Sequence, residues 1–147
     1  MFTLGKTFRF EAAHRLIGYP GKCANVHGHS WKGSVVVECN QLDGFGFGMD
    51  FANIKAIMSP LVSELDHSLL LNQGDEDLVR LCRLHEWKVC LFTANPTSEV
   101  IAKYLFDHWA SMVNTPLKGI RLKEVIIEET CTSMCKYTGY ETSSETE

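Results

Sequence analysis

The chain has 147 residues, of which 45% are hydrophobic and 22% are charged, and its formal net charge at pH 7 is −4. This length predicts one domain with enough core to fold without disulfides or a structural metal ion. A net negative chain argues against a nucleic-acid binder, which usually carries a basic stripe. No apolar run reaches the roughly 18 residues that a membrane span needs. The composition still allows a pocket for an anionic small molecule.

Cysteine usage and the chain ends indicate the cellular setting. Six cysteines are too few for a disulfide scaffold in a chain of this length, and residues 1–6 lack the basic and then apolar pattern of a signal peptide. We therefore expect a reduced, cytoplasmic protein. Residues 141–147 are polar and acidic without an apolar side chain, so we expect a disordered tail after a single domain over residues 1–140.

The first half of the chain predicts two strands and a helix. Residues 3–14 and 29–40 alternate between apolar and polar positions, and turn residues separate them, so we expect antiparallel neighbours. Asp50 stands where a helix N-cap is expected, and apolar residues follow at helical spacing from Phe51 to Leu65. Pro60 falls inside this helix and is expected to kink or interrupt it.

The second half predicts a further helix and two main strands. Residues 73–85 are ambiguous, and residues 87–93 fit a short strand. The run Asn95-Pro96-Thr97-Ser98-Glu99 indicates a helix start, because proline suits the first turn and the polar side chains satisfy free amides there. Strands are expected from Val125 and over residues 134–140. This order predicts an α+β fold, an antiparallel four-stranded sheet with two main helices on one face.

Three histidines form the strongest chemical feature of the sequence. His27 and His29 are two residues apart, so both rings project to one side of an extended segment. His14 ends the preceding strand and can lie beside them. Three neutral imidazoles with one open position are typical of a catalytic zinc site, although copper or iron also binds imidazole. The alternative is a set of ordinary surface or core histidines.

A cysteine lies close to this cluster in the sequence. Cys23 precedes His27 by four residues. A thiolate near a cation has a lowered pKa and can act as a base or a nucleophile. Alternatively, Cys23 completes a closed structural site of three histidines and one cysteine, which leaves no position for chemistry.

Two acidic motifs are further candidates. Asp66 and His67 follow the first helix; adjacent residues of one strand cannot easily bond each other, but both can reach a third group and transfer protons. The alternative is a pair that caps the helix. Glu128 and Glu129 end an apolar strand, so one of them must face the core or a pocket. A guanidine-like heterocycle edge could pair with that carboxylate; the alternative is a charge at the sheet edge.

Several short blocks together resemble one known family. The blocks follow one another from residue 8 to about residue 140: Phe8-Arg9-Phe10-Glu11-Ala12-Ala13-His14-Arg15-Leu16, Cys23-Ala24-Asn25-Val26-His27-Gly28-His29-Ser30, Met49-Asp50-Phe51, Leu65-Asp66-His67, Asn95 to Glu99, and Glu129-Thr130-Cys131. The chain resembles the 6-pyruvoyltetrahydropterin synthase / 6-carboxytetrahydropterin synthase family. The short gap between Cys23 and His27 is similar to the bacterial 6-carboxy-5,6,7,8-tetrahydropterin synthase branch, which works in queuosine (deazapurine) biosynthesis.

The resemblance implies a fold, an assembly and a set of roles. The fold is the tunnelling fold (T-fold), in which trimers join their sheets into a barrel and two trimers can stack, with active sites at subunit interfaces. Carried over to this sequence, the implied roles are zinc binding by His14, His27 and His29, a catalytic thiolate at Cys23, a proton relay of Asp66 and His67 from a neighbouring subunit, and pterin binding by Glu129 with Thr97, Ser98 and Glu99.

The implied reaction converts 7,8-dihydroneopterin triphosphate to 6-carboxy-5,6,7,8-tetrahydropterin, with release of acetaldehyde and triphosphate. Arg9, Arg15 and Lys22 are candidates for triphosphate binding. Residues 73–93 form a longer segment than is usual in short bacterial members. Alternative reactions at this site are pyruvoyl-forming triphosphate elimination and side-chain cleavage for folate synthesis. A non-enzymatic, zinc-stabilised assembly module is the alternative from another class.

Overall fold

The computed structural model describes residues 1–139, which form a six-stranded sheet and three α-helices. The predicted tail at residues 141–147 lies outside the described residues. No helix within residues 1–139 is long and apolar enough to span a bilayer. The strands are β1 (Phe2–His14), β2 (His27–Cys39), β3 (Ser68–Asn72), β4 (Val89–Phe92), β5 (Ile120–Thr130) and β6 (Ser133–Tyr137), and the helices are α1 (Phe51–Leu65), α2 (Glu76–His85) and α3 (Ser98–Val113).

The sheet has the strand order β4-β3-β1-β2-β5-β6. The predicted antiparallel pairing holds for β1, β2, β5 and β6. The prediction of four strands and two main helices was wrong in number, because β3 pairs in parallel with β1, β4 pairs in parallel with β3, and α2 connects β3 to β4. The run Leu69-Leu70-Leu71 does not alternate with polar residues, which is typical of a parallel strand covered on both faces.

The helices lie on both faces of the sheet. Leu70 packs into the main core with residues of α1 and α3, whereas Leu71 packs against Val79 and Cys82 of α2. Because adjacent strand residues point to opposite faces, α2 covers the face opposite to α1 and α3. The two main helices therefore share one face, as predicted, and the extra helix does not.

The alternation of buried and exposed side chains along β1 determines which of them face helices α1 and α3. Phe8, Phe10, Ala12 and His14 are buried on the face that α1 and α3 cover, as the period-two pattern predicts. The register pairs His14 with His27, Ala12 with His29 and Phe10 with Trp31. The histidines of both strands thus lie at one end of the sheet, on the helix-covered face.

Helix α1 begins and ends as the sequence predicts. The Asp50 carboxylate accepts a hydrogen bond of 2.7 Å from the Ala52 amide, and the helix runs to Leu65. Of the two predicted effects of Pro60, a kink or an interruption, the interruption does not occur, because the helix continues through this residue. Proline removes the bond to the carbonyl four residues earlier; that carbonyl belongs to Ala56, which is exposed, so water can satisfy it.

Cross-strand ion pairs cover the helix-free face of β2, β5 and β6. The buried Glu38 carboxylate contacts Lys123 at 2.7 Å and Arg121 at 2.7 Å. Hydrogen bonds from Lys123 and then Arg121 hold the pKa of Glu38 below its ordinary value. Such cross-strand pairs stabilise the register of neighbouring strands.

We expect Glu38→Gln to lower the free energy of unfolding at pH 7 by about 1 kcal/mol. Because the folded-state pKa of Glu38 is depressed, its contribution is present above the ordinary value of 4.5 and disappears as the pH falls through the lower folded value. The stability difference between wild type and variant should therefore shrink toward acid pH in urea titrations. Asp77→Asn, at an exposed carboxylate in α2, is the control and should show no such difference; a pH-independent loss in Glu38→Gln would contradict the account.

Candidate metal centre and its surroundings

Three imidazoles meet at the end of the sheet where β1 stops and β2 begins. The ring centroids of His14 lie 4.6 Å from those of His27 and 5.2 Å from those of His29, and His27 and His29 are 5.0 Å apart. Ligand atoms of these three residues and of Glu129 all lie within 4.8 Å of one another. The structure therefore brings together the three histidines that the spacing singles out.

Backbone carbonyls fix the tautomer of two of the rings. His14 Nδ1 lies 2.8 Å from the Pro96 carbonyl oxygen, and His27 Nδ1 lies 2.8 Å from the Asn25 carbonyl oxygen. A carbonyl only accepts, so each Nδ1 carries the proton and leaves the Nε2 lone pair available. Histidines that bind metal ions usually donate their other N–H in this way.

Unpartnered nitrogen atoms show that the site suits a metal ion. The Nε2 atoms of His14 and His29 are buried and have no hydrogen-bond partner within the described part of the chain. Burial is the main cause that lowers the pKa of His14, which favours the neutral form that a metal ion requires. Trp31 packs edge-on beneath both rings, at 5.1 Å from His14 and 5.2 Å from His29.

Glu129 is the fourth member of the cluster. Its Oε1 lies 3.0 Å from His29 Nε2 and 3.9 Å from His14 Nε2, without the alignment of a hydrogen bond. Its Oε2 accepts a 2.9 Å hydrogen bond from Ser98 Oγ. Glu128 instead lies 3.3 Å from Lys32 on the helix-free face. Sequence reasoning required one of the two carboxylates to face a pocket, and the structure identifies it as Glu129.

The start of α3 holds this carboxylate in place. Ser98 is the first residue of α3, and Thr97 is its N-cap, with Oγ1 accepting from the Val100 amide at 3.4 Å. Glu99 is exposed in the first turn. The pKa of the Cys135 thiol is raised mainly by burial of that thiol, and the negative charge of Glu99 raises it further. Of these three predicted residues, Ser98 is the one whose side chain bonds to the cluster.

Cys23 lies near the cluster in sequence, but its sulfur is not among the ligand atoms that lie within 4.8 Å of one another. It is half-buried in the short 3-10 turn Lys22–Ala24, and its carbonyl accepts a 2.8 Å hydrogen bond from the Leu16 amide. The group of ligand atoms among residues 1–139 comprises three histidines and a glutamate. This arrangement differs from the closed site of three histidines and a cysteine.

Asp66 and His67 contact each other directly, contrary to the expectation for neighbours in one strand. Asp66 caps the end of α1, and His67 adopts a left-handed conformation with φ 56°. This turn places Asp66 Oδ2 2.9 Å from His67 Nδ1. The Glu11 amide donates to Asp66 Oδ1 at 2.8 Å and is the main cause of the lowered pKa of Asp66, with His67 second. The carboxylate thus orients the His67 ring from a fixed position.

An open cavity of about 790 Å³ borders both His67 and His29. Glu11 and Ser30 line it from the sheet, and Trp87 and Lys88 line it from the segment between α2 and β4. No hydrogen bond or ion pair within residues 1–139 joins Asp66 or His67 to the three imidazoles. Within the described residues, the Asp66–His67 pair and the histidine cluster therefore border one cavity without a direct bond between them.

The three basic residues predicted for triphosphate binding have different surroundings. Arg15 binds the buried Asp75 carboxylate through two hydrogen bonds of 2.5 and 2.7 Å, so its guanidinium is committed to an ion pair with the N-cap of α2. A buried carboxylate needs this partner, which argues against a free role for Arg15. Arg9 and Lys22 are exposed.

Comparisons with known proteins identify the family of this chain. A sequence model of the family described as 6-pyruvoyl tetrahydropterin synthase matches residues 3–140. The chain is 36% identical over 142 residues to a 6-carboxy-5,6,7,8-tetrahydropterin synthase of Synechocystis sp., covering 93% of each chain. It is 30% identical over 155 residues to the Aquifex aeolicus protein of the same name, covering 91% of this chain and 96% of that one.

Solved structures show the same architecture. An uncharacterized protein of Wolinella succinogenes superposes with a TM-score of 0.79 at 22% identity, covering 95% of this chain and 98% of that one. The 6-pyruvoyl tetrahydropterin synthase of Caenorhabditis elegans superposes with a TM-score of 0.70 at 28% identity, covering 95% and 96%. The predicted α+β tunnelling fold is confirmed, apart from the number of strands. The chain belongs to the 6-pyruvoyl tetrahydropterin synthase family.

Proposed function

We propose that this protein is a zinc-dependent lyase that converts 7,8-dihydroneopterin triphosphate and water to 6-carboxy-5,6,7,8-tetrahydropterin, acetaldehyde and triphosphate, in queuosine biosynthesis. The observation that carries the proposal is the cluster of three imidazoles beside Glu129, in which the Nε2 atoms of His14 and His29 are buried and have no hydrogen-bond partner. Relatives that bear the 6-carboxy-5,6,7,8-tetrahydropterin synthase name support this choice of reaction. Six free thiols support a cytoplasmic setting.

Each proposed role belongs to a side chain that the family resemblance singles out. The three histidines would hold the zinc ion, which would supply Lewis-acid chemistry by polarising the substrate's side-chain oxygens and stabilising charge on the neighbouring carbon. Cys23 removes or relays a proton at that carbon, and His67, oriented by Asp66, moves a proton on the other face. Glu129, held by Ser98, binds the amino-pyrimidine edge of the pterin and fixes the reacting carbon near the metal. Thr97 and Glu99 support this end of α3.

Glu129 has two possible roles that a substitution separates. If it anchors the pterin, Glu129→Gln should keep one zinc ion per chain and lower kcat/KM by about 10- to 100-fold, mainly through KM, because a charge-assisted pair is lost. If it is a metal ligand, the variant should lose zinc. Metal analysis and steady-state kinetics on the same preparation distinguish the roles. Glu128→Gln, on the opposite face of β5, is the matched control and should leave both quantities near wild type.

We also propose that Asp66 and His67 serve the metal site of a neighbouring copy, in a trimer or a dimer of trimers. Among residues 1–139, no hydrogen bond or ion pair joins the Asp66–His67 pair to the cluster, which supports a site completed by a neighbouring copy. We expect an equal mixture of Cys23→Ala and His67→Ala subunits, unfolded and refolded together, to regain about a quarter of wild-type activity, since one site in four then receives both intact groups. Each variant refolded alone should stay inactive. No recovery in the mixture would show that both groups act within one chain.

Product analysis tests the proposed reaction directly. Purified protein is incubated with 7,8-dihydroneopterin triphosphate, with and without a chelator, and the products are identified by mass. Acetaldehyde and 6-carboxy-5,6,7,8-tetrahydropterin are expected without chelator. A pyruvoyl product, or a cleaved pterin for folate synthesis, would assign the alternative reactions. No turnover of any pterin, together with unfolding by the chelator, would favour the non-enzymatic module.

A further inference from the structure

The loop that carries Cys23 has little to fix it from within. Between β1 and β2, its internal hydrogen bonds are short-range, such as those from Ala24 to Gly21 and from Asn25 to Lys22. One longer bond, from the Leu16 amide to the Cys23 carbonyl, ties the thiol's residue to the start of the loop. The position of Cys23 therefore depends on what holds residues 15–17 at one end of the loop, and on the contact between His27 Nδ1 and the Asn25 carbonyl at the other end.

Asn95 holds this stretch with both atoms of its side-chain amide. Its Oδ1 accepts from the Ile17 amide at 3.1 Å, and its Nδ2 donates to the Ile17 carbonyl at 3.0 Å. These two hydrogen bonds fix both the orientation of the loop at Ile17 and its distance from Asn95. Asn72, at the end of β3, donates to the same Oδ1 at 3.3 Å and so orients the amide. Arg15 attaches the loop separately to α2 through Asp75.

The residues after Asn95 contact the metal cluster. The Pro96 carbonyl accepts from His14 Nδ1, and Ser98 donates to Glu129. Because a residue before proline has a restricted backbone, Asn95 cannot move far relative to Pro96. One four-residue segment thus contacts the Cys23 loop at one end and the cluster at the other.

We propose that Asn95 is a positioning residue that fixes the Cys23 thiol relative to the three imidazoles; the inference rests on the proposed catalytic role of Cys23. Without the Asn95 amide, the loop keeps its local turns, but Cys23 is no longer held at a fixed position relative to the three imidazoles. A misplaced reacting group slows the chemical step and leaves substrate binding by other residues intact.

The test compares Asn95→Ala with Asn114→Ala in the zinc-loaded protein. Asn114 lies at the other end of α3, and its Oδ1 accepts from the Leu122 amide at 2.7 Å, so it controls for the loss of an amide-to-backbone bond. The measurements are kcat, KM, zinc per chain, the unfolding midpoint and the rate of iodoacetamide alkylation of Cys23. Peptide mass spectrometry gives that rate as a ratio to alkylation of Cys131, which is exposed in the β5–β6 turn.

We expect Asn95→Ala to lower kcat by about tenfold at a KM within about twofold of wild type, with zinc retained. The Cys23 alkylation ratio should rise about threefold because the loop opens more often. Asn114→Ala should change neither quantity. Equal kcat and equal alkylation ratios in the two variants would overturn the proposal and leave Asn95 a purely structural residue.

Two further measurements cover the cases in which Asn95→Ala does not fold or the wild-type protein is inactive. If Asn95→Ala does not fold, Asn95→Asp replaces it: the acceptor for the Ile17 amide remains, and the donor to the Ile17 carbonyl becomes a repelling oxygen. If the wild-type protein turns over no pterin, the proposed function fails, and the alkylation ratio alone then decides the positioning role. An unchanged ratio in that case would also overturn the proposal.

Discussion

Replacing Cys23 with alanine is expected to lower kcat by about a thousandfold, because a positioned acid or base contributes roughly 10²- to 10⁴-fold to a proton-transfer step. Zinc content, oligomeric state and the unfolding midpoint should stay at wild-type values. Zinc should be retained because the ligand atoms that lie close together in the cluster come from three histidines and Glu129, and none comes from Cys23.

The control for this substitution is Cys131→Ala, at an exposed thiol in the β5–β6 turn. It should retain full activity. Metal analysis, size-exclusion chromatography and steady-state kinetics on both variants complete the comparison. If Cys23→Ala lost its zinc along with its activity, Cys23 would be a ligand and its assignment as the proton-transfer group would be wrong.

Removal of the metal is expected to abolish turnover while the fold persists. The main core, which includes Trp31, Trp109 and Leu105, is formed by apolar side chains of the sheet and its two main helices, so we expect it to persist when the ion is removed. Chelation should therefore leave the far-UV circular dichroism spectrum unchanged, and added zinc should restore activity. His29→Ala should reproduce the loss permanently, because the Nε2 atom that it removes is buried in the cluster without a hydrogen-bond partner.

His108→Ala provides the matched control for the metal experiment. His108 lies exposed on α3, and its Nδ1 contacts the Tyr104 carbonyl oxygen at 2.7 Å, which resembles the arrangement of His14 with Pro96. Zinc binding and turnover should be unchanged in this variant. Unfolding of the wild-type protein by the chelator would contradict the expectation that the fold persists, and, together with an absence of turnover, it would support a zinc-stabilised module.

The cluster was the part of the site that the sequence predicted well, because it depends on strand periodicity. A period of two places His14 with Phe10 and places His27 with His29, and antiparallel pairing then brings the two strands together. The same rule puts Glu128 and Glu129 on opposite faces of β5, although it could not say which one faces the cluster.

Other features depend on contacts that no local pattern carries. The direct contact between Asp66 and His67 requires a left-handed backbone at a non-glycine residue, which sequence rules disfavour. In the β3–α2–β4 unit, β3 does not alternate between apolar and polar residues, so the strand pattern does not reveal it. The start of α2 was predictable, because Asp75 before Glu76 is typical of a helix N-cap. The bond between Asn95 and Ile17 joins residues 78 positions apart, and only the folded chain brings them together.

In the proposed enzyme, the three imidazoles bind one zinc ion that has no sulfur ligand in the resting state. X-ray absorption at the zinc edge of the purified, fully loaded protein tests this coordination. We expect nitrogen and oxygen scatterers at about 2.0–2.2 Å, with the multiple-scattering pattern of three imidazoles. A sulfur scatterer at about 2.3 Å that disappears in Cys23→Ala would contradict it.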